Sequence, residues 1–196
     1  YMVAMAGGHD IKCAKYATFG TRLLSKNIIK ALKNSNLVKE VGTSVYSKEE
    51  LIYSLDCGIY DWVQIPVNIL DTSFYHIANN HASEIKIAAR SVFLQGVIFN
   101  NHRTRINIKY HHELLDILDQ LQKLCTDFGL NIQQLSVAYL STLDKINQII
   151  VGTISDDKLT ENMASIKMQL NKSLIASIEK ISVKSKPWSD PRSWKL

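Results

Sequence analysis

The chain has 196 residues, enough for one domain with a full core, and its 46% hydrophobic and 21% charged content is ordinary for a globular protein. No apolar run approaches the ~20 residues of a membrane-spanning helix, and no basic leader precedes an apolar stretch, so neither a membrane protein nor a secretory signal is expected and a cytoplasmic location is. The net charge of +5 comes from scattered Lys and Arg without interleaved aromatics, against a nucleic-acid surface; Cys13, Cys57 and Cys125 lack the spacing of a zinc site or a disulfide framework.

The chain opens on "YMVAMA", a short apolar run that reads as a strand. "TRLLSKNIIKALKNSN" follows, with Leu23, Leu24, Ile28, Ile29 and Leu32 at helical spacing. "VKEVGTS" predicts a second strand and "SKEELIYSLDCG" a helix with a serine cap and acids in its first turn. "YDWVQIP" and "IKIAARS" predict two more strands. Two amphipathic helices come next, "HHELLDILDQLQKLCTDFG", ending at Gly129, and "NIQQLSVAYLSTLDKIN". "QIIVGT" predicts the last strand and "DDKLTENMASIKMQLNKSLIASIEKI" a last helical stretch. Residues 187–196, with Pro and Trp in a polar setting, predict an irregular tail after a domain spanning 1–186.

Strands alternating with helices predict an α/β fold with a parallel sheet, either doubly wound or part of a (β/α)8 TIM barrel. No glycine-rich phosphate motif follows the first strand, which favours barrel units. A full barrel needs eight strands and roughly 250 residues, so this chain supplies about five βα units of a partial barrel.

Functional groups in such folds gather where strands end. That rule selects His9, Ser44, Gln64, Asn68, Arg90, Ser91 and the loop 152–155. His9 suits either a polar turn or a donor to a substrate oxygen. Gln64, inside an apolar strand, needs hydrogen-bond partners from the protein or from a ligand carboxamide. Arg90 suits either a carboxylate partner or an anion. His111 and His112 begin a helix, while His76, His81 and His102 lack metal-ligand spacing, so no metal site is expected. Glu49-Glu50 and Asp156-Asp157 open helices, where acids oppose the dipole.

"LVKEVGTSVYSKEEL", "YDWVQIPVNILD", "ARSVFLQGV" and "IIVGTISDDKLTEN" together resemble successive segments of the aldo-keto reductases, in order and spacing, as strands four to eight of that barrel. The resemblance implies hydride transfer between NADPH and an aldehyde or ketone, sugar-like carbonyls included, without metal. It implies that His9 orients the carbonyl and that Ser44 and Gln64 hold the nicotinamide carboxamide. Val45 stands where many members have Asn, and Arg90 where many stack a tyrosine on the nicotinamide. Ser91, Leu94 and Gly96 are expected against the cofactor phosphates. Gly152, Thr153, Lys158, Glu161 and Asn162 match the adenosine and 2′-phosphate pocket, with NADP preferred over NAD.

The family's tyrosine acid, lysine and aspartate have no counterparts here, and Tyr16, Tyr46 and Tyr60 do not lie at a matching position. The leading expectation is the C-terminal part of an NADP-dependent reductase, acting on a small-molecule carbonyl and partnered by the missing N-terminal half or by a second copy. The alternative is a truncated, non-catalytic barrel fragment that binds a nucleotide or self-associates. Neither reading involves nucleic acid or a membrane.

Overall fold

A computed structural model describes residues 3–5, 26–34, 39–99 and 111–181. The strands are β1 (Val3–Met5), β2 (Gly42–Ser44), β3 (Trp62–Pro66), β4 (Lys86–Arg90) and β5 (Ile146–Val151). The helices are α1 (Lys26–Asn34), α2 (Lys48–Asp56), α3 (Ser73–Asn79), α4 (His111–Asp127), α5 (Ile132–Ser141), α6 (Asp156–Ser165) and α7 (Lys172–Ile181). They form one sheet in the order β1-β5-β4-β3-β2, in which β2 to β5 are parallel. No helix among the described residues is long and apolar enough to cross a membrane.

The central strands β3 and β4 are buried along their middles because both faces are covered. Val63, Gln64 and Ile65 are all buried in β3, as are Ile87, Ala88 and Ala89 in β4. Helices α5 and α2 pack on the sheet, and α6 and α7 pack on α5 and α4. The core between them centres on Leu51, Ile65, Ile87, Leu121, Leu135 and Ile178. Ser47 caps α2 in a capping box with Glu50, the helix start expected of that stretch. α4 gives way to Gly129 at φ +65°, where Leu130 N–H donates to Cys125 O at 2.9 Å and closes the helix end.

Where the parallel strands begin, polar side chains tie them together. Asp61 accepts from Lys33 Nζ and from Val41 N–H, both at 2.8 Å. Glu40 accepts from Trp62 Nε1 at 2.6 Å and from Lys86 Nζ, and Lys86 also lies over the Trp62 ring. Asn147 Oδ1 takes the Ile87 N–H at 2.7 Å, filling a gap where the β4–β5 register shifts. In barrels this end serves stability, which leaves the opposite end for ligands.

Two expectations are corrected, and one helix is added. The strand in "YMVAMA" does not run parallel beside β2; β1 pairs antiparallel with β5, Val3 opposite Val151 and Met5 opposite Ile149. The free edge of β5 accepts an extended segment in either direction, and antiparallel pairing is slightly the stronger. The last helical stretch is two helices. Ser165 Oγ folds back on Glu161 O at 2.7 Å near the end of α6, and Asn171 Oδ1 accepts from Leu174 N–H to open α7. Helix α3 was not expected, since its seven residues are too few to show a period. The tail 187–196 lies outside the described residues.

Candidate functional site

The C-terminal ends of β2 to β5 bring the predicted positions side by side. Ser44 ends β2 opposite Gln64 of β3, and Gln64 faces Ala88 of β4 in turn. The Val45 N–H donates to the Gln64 carbonyl at 3.1 Å, which pins the exit of β2 against β3. Ser44 Oγ is buried and has no hydrogen-bond partner among the described residues. Gln64 is 7% exposed. Asn68, another strand-end candidate, is structural: its Oδ1 accepts from Leu70 N–H at 2.9 Å and Asp71 N–H at 3.1 Å to form a turn.

Arg90 ends β4 and reaches back across β3. Its Nη2 donates to the Val45 carbonyl at 2.9 Å, its Nη1 to Ser91 Oγ at 3.1 Å, and the guanidinium lies 4.3 Å from the centre of the Tyr46 ring. The strand ends flanking β3 are thus joined by one charged side chain. Sequence spacing gave no sign of the Tyr46 contact, because the two residues sit on different strand-end loops.

The loop after β4 carries unusual backbone geometry. Ser91, Leu94 and Gln95 have φ of 63°, 45° and 52°, and Gly96 has φ of 88°. Left-handed conformations cost about 1–3 kcal/mol at a non-glycine residue and concentrate at binding sites. The N–H groups of Leu94, Gly96 and Val97 are used inside the turn, donating to Ser91 O, Phe93 O and Leu94 O. The Leu94 side chain is fully buried in the core. Leu94 and Gly96 therefore shape this loop, while Ser91 presents the polar side chain.

Beyond β5, Gly152 is exposed and has open space where a Cβ would stand. Thr153 Oγ1 accepts from Ser155 N–H at 3.1 Å, and Ser155 caps α6. Lys158 Nζ sits 5.9 Å from the Phe99 ring centre, joining the start of α6 to the loop after β4. Glu161 is engaged by Asn131 Nδ2, and Gln133 Nε2 donates to Lys158 O at 3.2 Å, so α5 braces this part of α6. Asn162 is 1% exposed, with Oδ1 buried and unpartnered among the described residues.

Unsatisfied buried oxygens are costly unless something answers them. Ser73 Oγ is also unpartnered, but Ser44 Oγ and Asn162 Oδ1 fall at two positions selected for cofactor contact. Ser44 ends β2 at one side of the parallel strands and Asn162 lies on α6, which follows β5 at the other, an arrangement that suits an elongated ligand. The polar groups present thus fit a dinucleotide. No cluster able to hold a metal occurs among the described residues. His9 lies outside the described residues; β1, the strand before it, runs antiparallel to β5, the reverse of the orientation expected for a strand that delivers it to this site.

The sequence matches the Aldo/keto reductase family over residues 4–183. Among solved structures it is similar to the aldo-keto reductase AKR11C1 from Bacillus halodurans in its apo form, with a TM-score of 0.64 and 16% identity, over 84% of this chain and 59% of that one. The holo form of that enzyme gives 0.62 and 14%, over 84% and 58%. An NADPH complex of a Gox0644 variant gives 0.57 and 14%, over 81% and 52%. At such identity these likenesses show the fold. A short stretch of 34 residues is 65% identical to the L-fuculose phosphate aldolase of Escherichia coli K12, over 17% of this chain and 16% of the aldolase. The chain spans about a sixth of such curated relatives and under two thirds of the reductase structures. With the family matched over nearly its whole length and the parallel strands arranged as in the reductase barrels, the chain belongs to the aldo/keto reductase family.

Proposed function

We propose that this chain binds a nicotinamide dinucleotide, NADP in preference to NAD, across the C-terminal ends of β2 to β5. It forms the cofactor-holding part of an aldo-keto reductase acting on an aldehyde or ketone, sugar-like carbonyls included. The observation that carries this reading is the pair of buried, unpartnered oxygens, Ser44 Oγ and Asn162 Oδ1, at opposite ends of the candidate site. Family membership and an NADPH-bound structural relative support it.

When bound, the cofactor supplies the hydride. Ser44 and Gln64 hold the carboxamide and thereby fix which face of the ring is turned outward. Arg90 lies over the ring's position, and Ser91, with the turn built by Leu94 and Gly96, borders the pyrophosphate. Gly152 leaves room for the adenosine, Thr153 and Lys158 face the 2′-phosphate, and Glu161 and Asn162 border the adenine. Lys158 is the reason for preferring NADP.

Carbonyl reduction also needs a proton, and a positioned acid contributes about 10²- to 10⁴-fold. Tyr46 is occupied with Arg90 and Tyr60 is buried just before β3, at the opposite end of the sheet from the candidate site, so a tyrosine outside these 196 residues supplies it. A role for His9 in orienting the carbonyl rests on the family resemblance. The short aldolase match covers too little of either chain to bring an aldol cleavage site with it.

The test is to titrate the purified chain with NADPH, following nicotinamide fluorescence, and then to follow NADPH oxidation with a panel of aldehydes and ketones. Saturable binding supports the reading. Binding without turnover is expected of this chain until the tyrosine acid is supplied, and a folded chain that binds no dinucleotide contradicts the reading and leaves a self-associating fragment.

A further inference from the structure

The preference for a phosphorylated dinucleotide turns on the Lys158 ammonium, and an aromatic ring from another loop steers that ammonium. Lys158 lies in the first turn of α6 and is exposed. Its Nζ is 5.9 Å from the centre of the Phe99 ring, within reach of a cation–π contact. No carboxylate among the described residues forms a salt bridge with it. Glu161, one turn on along α6, is engaged by Asn131 Nδ2 instead. The ring is itself held in place: Phe99 N–H donates to Gly96 O at 3.0 Å, and the ring centre lies 5.2 Å from that of Phe93, tilted by 48°. The two phenylalanines flank the left-handed turn through Leu94, Gln95 and Gly96, so the loop after β4 sets where the ring stands.

A lysine stem has large rotamer entropy, which is lost when its ammonium is fixed on a phosphate. A ring that already confines the ammonium takes part of that loss before the ligand arrives. The ring face attracts the charge without using up its donors, since an ammonium has three N–H groups to offer to phosphate oxygens. We propose that Phe99 is a positioning residue for the 2′-phosphate: its ring holds the Lys158 ammonium in the site, so that selection of NADPH over NADH depends on the loop after β4 as well as on α6. The inference rests on the dinucleotide reading above. Phe99 acts through Lys158. The loop assigned to the pyrophosphate thereby also sets how well the phosphorylated ribose is read.

The measurement is the ratio of the NADH and NADPH dissociation constants, from nicotinamide fluorescence, in the wild-type chain, Phe99→Leu, Phe99→Tyr, Lys158→Gln and the Phe99→Leu/Lys158→Gln double variant. Wild type is expected to favour NADPH. F99L lowers that preference by about two- to fivefold, weakening NADPH while leaving NADH as it was, which general damage to the loop would not do. F99Y keeps a ring face and retains the preference. With Lys158 already replaced, F99L changes the ratio no further, because the ring has no cation to hold. An F99L ratio equal to that of wild type, whether or not both affinities fall, would overturn the proposal, as would the same F99L effect in the K158Q background. Equal binding of NADH and NADPH by the wild type would overturn it together with the NADP preference and leave dinucleotide binding intact. Absence of binding by the wild type would overturn the dinucleotide reading as well.

Discussion

Ser44 and Gln64 stand opposite one another in the parallel register of β2 and β3, and the next N–H along, that of Val45, donates to the Gln64 carbonyl at 3.1 Å. The backbone at this point is therefore satisfied, while the serine hydroxyl beside it is not. A polar group left unpaired inside the protein costs its desolvation until a ligand answers it. Ser44→Ala should leave the thermal midpoint unchanged or slightly raised and weaken NADPH binding by about three- to tenfold. A lowered midpoint with unchanged affinity would show that the hydroxyl serves the fold instead.

Gly42 and Trp62 constrain β2 differently. A Cβ on Gly42 would fall 2.8 Å from Trp62 Cβ and 3.1 Å from Trp62 O, neither of them the end of a flexible side chain. Gly42→Ala must push β2 away from β3, at a cost of about 1–3 kcal/mol. Urea unfolding would register this as a lower midpoint with little change in slope. A variant as stable as the wild type would mean that the two strands can separate freely.

Acid sensitivity should arise at the opposite end of the sheet. The hydrogen bond from Lys86, and next that from Trp62, hold the Glu40 carboxyl below its ordinary value of 4.5. Because the folded value is the lower one, the stabilisation is present above pH 4.5 and is lost as pH falls through the folded value. The group is a third exposed, so solvent screening keeps the effect modest. Stability measured from neutral pH downward should fall less steeply below pH 4.5 in Glu40→Gln than in the wild type. Superimposable curves would assign the acid limb to other carboxylates.

Burial raises the Cys125 thiol to about 11, and the side chain is 1% exposed in the core. The thiolate is the reactive form, so little of it exists at mildly alkaline pH. In a Cys13→Ser/Cys57→Ser chain, a thiol reagent should leave Cys125 unmodified until denaturant is added. Prompt labelling of the folded protein would place Cys125 outside the core.

Local chemistry made part of this structure legible. The Ser47 cap with Glu50 and the Gly129 terminus are decided by neighbouring atoms, and the apolar strands by burial on both faces. The split between α6 and α7 was hidden because the intervening residues keep an amphipathic rhythm; what marks it is local, Ser165 Oγ donating back to Glu161 O and Asn171 Oδ1 accepting from Leu174 N–H. The direction of β1 was equally hidden, since three extended residues pair in either sense and only the free edge of β5 decides where they go. At the candidate site, chain order and motif placed Ser44, Gln64, Arg90 and Ser91 at adjacent strand ends. It could not show that Arg90 leans across β3 onto Tyr46, because that contact joins residues 44 positions apart through a ring whose own neighbours are unremarkable.

Hydrogen exchange of the folded chain, with and without saturating NADPH, tests the central claim most directly. A dinucleotide lying across the C-terminal ends of β2 to β5 should slow exchange in 44–46, 90–97 and 152–162 together, and leave the opposite end, around Glu40, Asp61 and Lys86, unchanged. Protection confined to that opposite end, or none at saturation, would contradict the account.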